Sequence, residues 1–220
     1  MRNYRRLTGW LIGGWFTFAV MAAALHLFRN DSERVGVAVA IAAAAPLVVF
    51  AAWFAASAAF REFALSLNPR VLTALHTWRI MGFVFVLLET YRLLPAMFAL
   101  PAGYGDMAIG ATASLVAWQL AEPRYRNSFI AWQVLGIADL IIAVSMGTTS
   151  RLLDPSGVSM LPMTVLPLSI VPTFLVPLFL IFHVISIAQA RRWRVARPTA
   201  KADGASGGLT SKLPVVTRSS

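Results

Sequence analysis

Residues 76–106 read HTWRIMGFVFVLLETYRLLPAMFALPAGYGD, and the fold turns on how that stretch is read. It opens with His76 and Arg79, one helical turn apart inside an apolar run. It leaves the run through Glu89 and Arg92, crosses Pro95 and Pro101, and restarts at Gly103-Tyr104-Gly105-Asp106. Ionisable groups are costly in hydrocarbon and persist there mainly for function or pairing. The stretch therefore predicts a membrane helix, an interfacial proline-broken loop, and a second membrane helix that begins near Tyr104.

Composition says the same of the whole chain. It is 58% hydrophobic and only 13% charged, where soluble domains carry about 25% charged residues. The net charge of +10 is concentrated at one end. Beyond residue 190, Arg191, Arg192, Arg194, Arg197, Lys201, Lys212 and Arg218 face a single acid, Asp203. A basic tail after a membrane span is a topology signal first and an attractor of anionic lipid headgroups second. Nucleic acid is not expected as a partner. There is no cysteine, which excludes disulfides, iron–sulfur clusters and thiolate metal sites.

Apolar runs of about 20 residues are long enough to cross a bilayer. They predict an all-α integral membrane protein, a six-helix bundle with spans at about 9–28, 35–60, 71–91, 104–121, 128–147 and 172–190, followed by a disordered tail over 191–220. The opening MRNYRRLTG and the alanines at 22–24 also have the form of a cleavable signal peptide. The run is long enough to span, so retention as the first helix is expected. In the second run, alanine predicts close helix packing and Pro46 a kink. Pro162, Pro167, Pro172 and Pro177 recur every five residues. They predict an irregular segment up to residue 171, with the last helix starting near Pro172.

With six spans and both termini cytoplasmic, fourteen arginines and lysines fall inside. Four fall outside: Arg29, Arg34, Arg92 and Arg151. That asymmetry fits the positive-inside rule. Trp10, Trp53, Trp78, Trp118, Trp132 and Trp193 fall near the same inner ends, as an interfacial belt does. A bacterial cytoplasmic membrane is the expected location, with a homo-oligomer or larger membrane complex left open.

Depth counting at ~1.5 Å per residue puts Arg79 about 12 Å and Asp139 about 16 Å from the inner surface. It gathers His76, Arg79, Asp139 and His183 into one inner-leaflet cluster, with Gln133 and Ser186 nearby. The cluster has three readings: a structural ion pair with packed histidines; a site for a solute, proton or ion; or a b-type haem held between His76 and His183. No cofactor is expected on the first two. A second, outer cluster would comprise His26, Glu89, Arg92 and Asp106, with Asp106 capping the fourth helix and Glu89–Arg92 a surface pair. His26, Glu89 and Asp106 have the donor types for a divalent metal but no ligand spacing, so no metal is expected. No GxSxG, HExxH, phosphate-binding or dinucleotide-binding motif occurs. An enzyme is therefore the less favoured class. A transporter-like or ligand-binding protein leads; the alternatives are a membrane haem-binding redox subunit or enzyme using His76 and His183, and a structural or accessory membrane subunit.

The segment LPAMFALPAGYGDMAIGATA, with HTWRIMG before it and LGIADLIIAV after it, resembles an uncharacterised family of bacterial polytopic membrane proteins. Its pattern is LPxxFAxPAGxGDxxxGxxA, followed by a span with Asp and a last span with Pro and His. The resemblance covers about residues 71–190. It implies a polytopic membrane fold and draws attention to Arg79, Pro101, Gly103, Gly105, Asp106, Asp139 and His183, but implies no activity.

Overall fold

The computed structural model describes residues 2–29, 36–154 and 156–193. The basic tail beyond Trp193 and the turn at residues 30–35 lie outside the described residues. The described chain is helical throughout, with no strand among these residues. Five helical stretches are long and apolar enough to cross a membrane: Asn3–Ala24, Val37–Ala56, Pro69–Thr90, Pro123–Ser150 and Val171–Arg192.

Helix α1 (Arg2–Ala24) ends in a left-handed residue, His26, with φ 60°. The amide of His26 donates to Ala23 O and that of Leu27 to Ala22 O, which is the paired C-terminal hydrogen bonding of a Schellman cap. Helix α2 (Val37–Ala56) continues through Pro46. It stops four residues earlier than expected because Ser57 takes an extended conformation and caps a separate short helix, α3 (Ala58–Leu65), through its hydroxyl on Phe60 N.

The third span has three parts: α4 (Pro69–Ala74), a 3₁₀ stretch over Leu75–Gly82, and α5 (Phe83–Thr90). A 3₁₀ run of eight residues is unusually long, since such runs rarely exceed four. At three residues per turn, positions 76, 79 and 82 fall directly above one another. They are the three buried residues of that stretch. Arg92, at φ 57°, ends α5 as His26 ends α1: its amide donates to Glu89 O and that of Leu93 to Leu88 O.

The expected loop before Tyr104 is instead helix. Helix α6 runs from Ala96 to Gln119, with Pro95 at its N-cap and Pro101 inside it. Pro95 fits just ahead of a first turn, and Pro and Gly are tolerated inside a helix whose neighbours cover the backbone. α6 is the hub of the bundle and packs on α4, the 3₁₀ stretch, α5 and α7. Its Phe98, Ala99 and Ala102 enter one apolar cluster with Phe85, Leu94, Met160 and Met163. Its Ile109, Ala113 and Val116 enter another with Phe129 and Trp132. Asp106 stands between the two.

Helix α7 (Arg126–Leu153) extends past the expected end at 147. Residues 161–175 form a 3₁₀ turn (Leu161–Thr164) and a π-turn (Val171–Leu175) before α8 (Val176–Arg192). Pro162, Pro172 and Pro177 each occupy the first turn of one of these pieces, where a missing N–H is least felt. Pro177 has no N–H for Thr173 O, and the indole of Trp15 on α1 donates to that carbonyl at 3.1 Å. Irregular backbone inside a membrane domain persists where protein satisfies it in this way.

Candidate functional site

Arg79 is the centre of the polar interior. Its side chain is 1% exposed, and the guanidinium spends its donors on three neighbouring helices. Nε donates to Asp106 Oδ1 of α6 at 2.6 Å, and Nη2 donates to Asp139 Oδ2 of α7. Nη1 is shared between Gly136 O and His183 Nε2, each at 3.3 Å. The planar fork of arginine suits this divergent set of acceptors.

His183 extends the network. Arginine can only donate, so Nε2 of His183 accepts, and Nδ1–H donates to Gln133 Oε1 at 2.5 Å. Gln133 Nε2 in turn donates to Thr73 Oγ1 at 3.1 Å. His76 lies flat on His183, ring centroids 3.9 Å apart and planes 23° from parallel. Phe179 and Trp132 pack around it.

Glycines make the space for these groups. A methyl group on Gly105 would overlap the carboxylate of Asp139, one on Gly136 would overlap the His183 ring, and one on Gly110 would overlap the backbone at Ile80. Each close approach lets a neighbouring element bring a polar group to Arg79 without a lining of side chains between them.

The structure thus brings together His76, Arg79, Asp139 and His183, with Gln133 between His183 and Thr73. Asp106 belongs with them and not with an outer group. Because α6 starts at Ala96, Asp106 lies in its third turn, so it does not cap the helix. The 3₁₀ rise explains why the levels match. Counting ~1.5 Å per residue over α4 and ~2.0 Å over the 3₁₀ residues puts Arg79 about 17.5 Å from Pro69. Asp139 is about 20 Å from the start of α7 and Asp106 about 20 Å from the end of α6. All three lie near the middle of their own helical stretches.

The remaining members of the expected outer group do not converge. No side-chain ion pair or hydrogen bond joins His26, Glu89 and Arg92 among the described residues; His26 and Arg92 are helix-stop residues, and Arg92 meets Glu89 only through the backbone bond of that stop. No group of three His, Asp or Glu side chains among the described residues is placed to hold a metal ion. The two buried imidazoles do not suit a haem in this arrangement. A bis-imidazole iron takes one nitrogen from each ring, end-on, from opposite faces of the porphyrin. Here the rings are stacked, and both His183 nitrogens already have partners.

Beside the cluster lies a cavity of about 380 Å³. α2 forms one wall with Ala40, Ala43 and Ala44; α6, α7 and the segment before α8 form the others. The lining is almost wholly apolar, and Asp106 is the one ionisable residue in it. The alanines of α2 leave space here, where the sequence suggested close helix contact.

No curated protein matches this chain, and no solved structure matches it. A family model described as "Domain of unknown function (DUF8737)" matches residues 35–191, from α2 through nearly the whole of α8. The chain belongs to that family.

Proposed function

We propose that this is a transporter-like, ligand-binding integral membrane protein that takes an apolar molecule bearing one positive charge. The supporting observation is the double placement of Asp106. Its carboxylate pairs with Arg79 at 2.6 Å and also lines an otherwise apolar cavity of about 380 Å³. Small-molecule sites are typically ~300–1,000 Å³, mostly apolar, with a few polar groups fixing orientation. One guanidinium facing two carboxylates leaves one negative charge uncompensated when all are ionised. A single cation, with its apolar body in the cavity, complements that charge and that lining.

In this reading the chain crosses a bacterial cytoplasmic membrane six times, with both termini inside. α6 is the sixth crossing: its 24 residues reach ~36 Å, although its glycines, Pro101 and Asp106 lower its hydropathy. Arg61, Arg70, Arg124, Arg126, Arg191 and Arg192 then cluster on the cytoplasmic side, as the positive-inside rule requires.

Equilibrium dialysis of the purified protein with tetraphenylphosphonium tests the reading. Wild type is expected to bind saturably. Asp106→Asn should weaken binding by about tenfold or more, one lost charge pairing in a dry site being worth at least ~1.4 kcal/mol. Ala44→Phe, which fills the cavity from α2 without touching the ion cluster, should abolish binding in a protein that still folds. Binding that survives Ala44→Phe, or no binding by wild type, overturns the assignment.

A further inference from the structure

Six buried side-chain atoms among the described residues have no hydrogen-bond partner, and four of them belong to His76 and to the inner face of α8. They are both ring nitrogens of His76, Ser186 Oγ and Gln189 Oε1. His183, Ser186 and Gln189 follow at i, i+3, i+6 on α8, so they form one inward stripe with a polar group every ~4.5 Å. Two hydrogen bonds through one water span about 5.5 Å, the same scale as that axial spacing. His76, Ser186 and His183 are fully buried. Unpaired polar atoms in a dry interior are costly, and native proteins satisfy such groups with ordered water.

The stripe has a defined start. Gln189 donates to Leu65 O and Leu67 O at 3.2 and 2.7 Å, and it lines a second cavity of about 240 Å³. That cavity lies between the α3–α4 turn and the end of α8, with Glu62 and Arg192 among its walls. The stripe ends at His76 and His183, next to Arg79, Asp106 and Asp139, the other ionisable groups packed at that level.

We propose that the α8 stripe is a water-filled path that delivers protons from the Gln189 cavity to the Arg79 cluster. A neutral imidazole carries one donor and one acceptor, so His76 can receive a proton from a water at one nitrogen and release one at the other. A proton taken up at the Gln189 end is thereby passed on toward the two carboxylates; His76 keeps its neutral charge but is left as the opposite tautomer, which reverts before the next transfer. His76, Ser186 and Gln189 take no part in the cation-binding reading; only the end point, Asp106, is shared with it. Only the path's role of exchanging a proton for the bound cation depends on that reading.

The absence of cysteine makes the native chain a ready background for thiol labelling. Ser186→Cys and Gln189→Cys are to be treated with 2-aminoethyl methanethiosulfonate, alongside Ile185→Cys. Ile185 is also buried, but it packs in an apolar cluster with Ala64 and Leu72. The thiolate is the reacting form and needs water, so Ser186→Cys should react at least about tenfold faster than Ile185→Cys. Equal rates overturn the path. The unsubstituted protein gives a second measurement. Radiolytic hydroxyl-radical labelling should oxidise His76 and His183, despite their complete burial, well ahead of Phe129, which is equally buried among apolar groups. Histidines as inert as Phe129 also overturn it. Loss of tetraphenylphosphonium binding with labelling intact would remove the exchange role and leave the path.

Discussion

At the scale of residues, Arg79 holds the interior together by being shared. Replacing it with leucine strands two carboxylates at 15% side-chain exposure, so Arg79→Leu is expected to destabilise by about 3–5 kcal/mol in detergent unfolding. Adding Asp106→Asn and Asp139→Asn should recover most of that loss, because neutral amides no longer require a buried cation. A triple variant as unstable as the single one would count against the shared pairing. Arg79→Lys should not substitute, since one ammonium cannot reach four acceptors on three helices. Much of this centre is visible in the amino-acid sequence: ionisable residues inside apolar runs announce themselves, and His76, Arg79, Asp139 and His183 are such residues. Asp106 was misread for a physical reason. Gly103, Gly105 and Pro101 look like turn residues in water, but here they let α6 pack closely around Arg79. Thr73, the last acceptor in the chain from His183, carries no signal beyond lying three residues before His76.

At the scale of elements, two helices end on residues that resist the conformation they hold. His26 and Arg92 occupy the left-handed region at φ 60° and 57°, where glycine is the usual occupant of a helix stop. A side chain there costs about 1–3 kcal/mol. His26→Gly and Arg92→Gly are therefore each expected to raise stability, by about 1 kcal/mol once the greater freedom of glycine in the unfolded chain is subtracted. A fall in the unfolding midpoint would show that these side chains make contacts worth more than the strain. The proline series was readable as a break before the last helix, because proline's rules are local. The length of the 3₁₀ stretch was not. Its tight winding is imposed by the partners of His76 and Arg79 on three other helices, and no propensity in LHTWRIMG encodes it.

At the scale of the molecule, the placement of α6 governs the topology. Reporter fusions after Leu93 and after Glu122 should read opposite sides of the membrane, with Glu122 on the side of the amino terminus. The same side for both would mean that α6 does not cross, and would overturn the proposed six-span topology. Five of the expected spans follow readily from apolar run lengths, and the one over residues 104–121 does not. The cavity does not, because an alanine-rich face such as that of α2 is compatible with either close contact or open volume. Only the positions of α6, α7 and the segment before α8 decide between them.

The eight residues of the 3₁₀ stretch behave like a tightly wound cord. Rewound as ordinary α-helix they would shorten by ~4 Å and turn one end against the other by ~160°. His76 and Arg79 would then stand ~60° apart around the axis instead of directly above one another, and the guanidinium would turn relative to the two aspartates. The overwound span and the charged knot at its middle hold each other in place, and neither survives the release of the other.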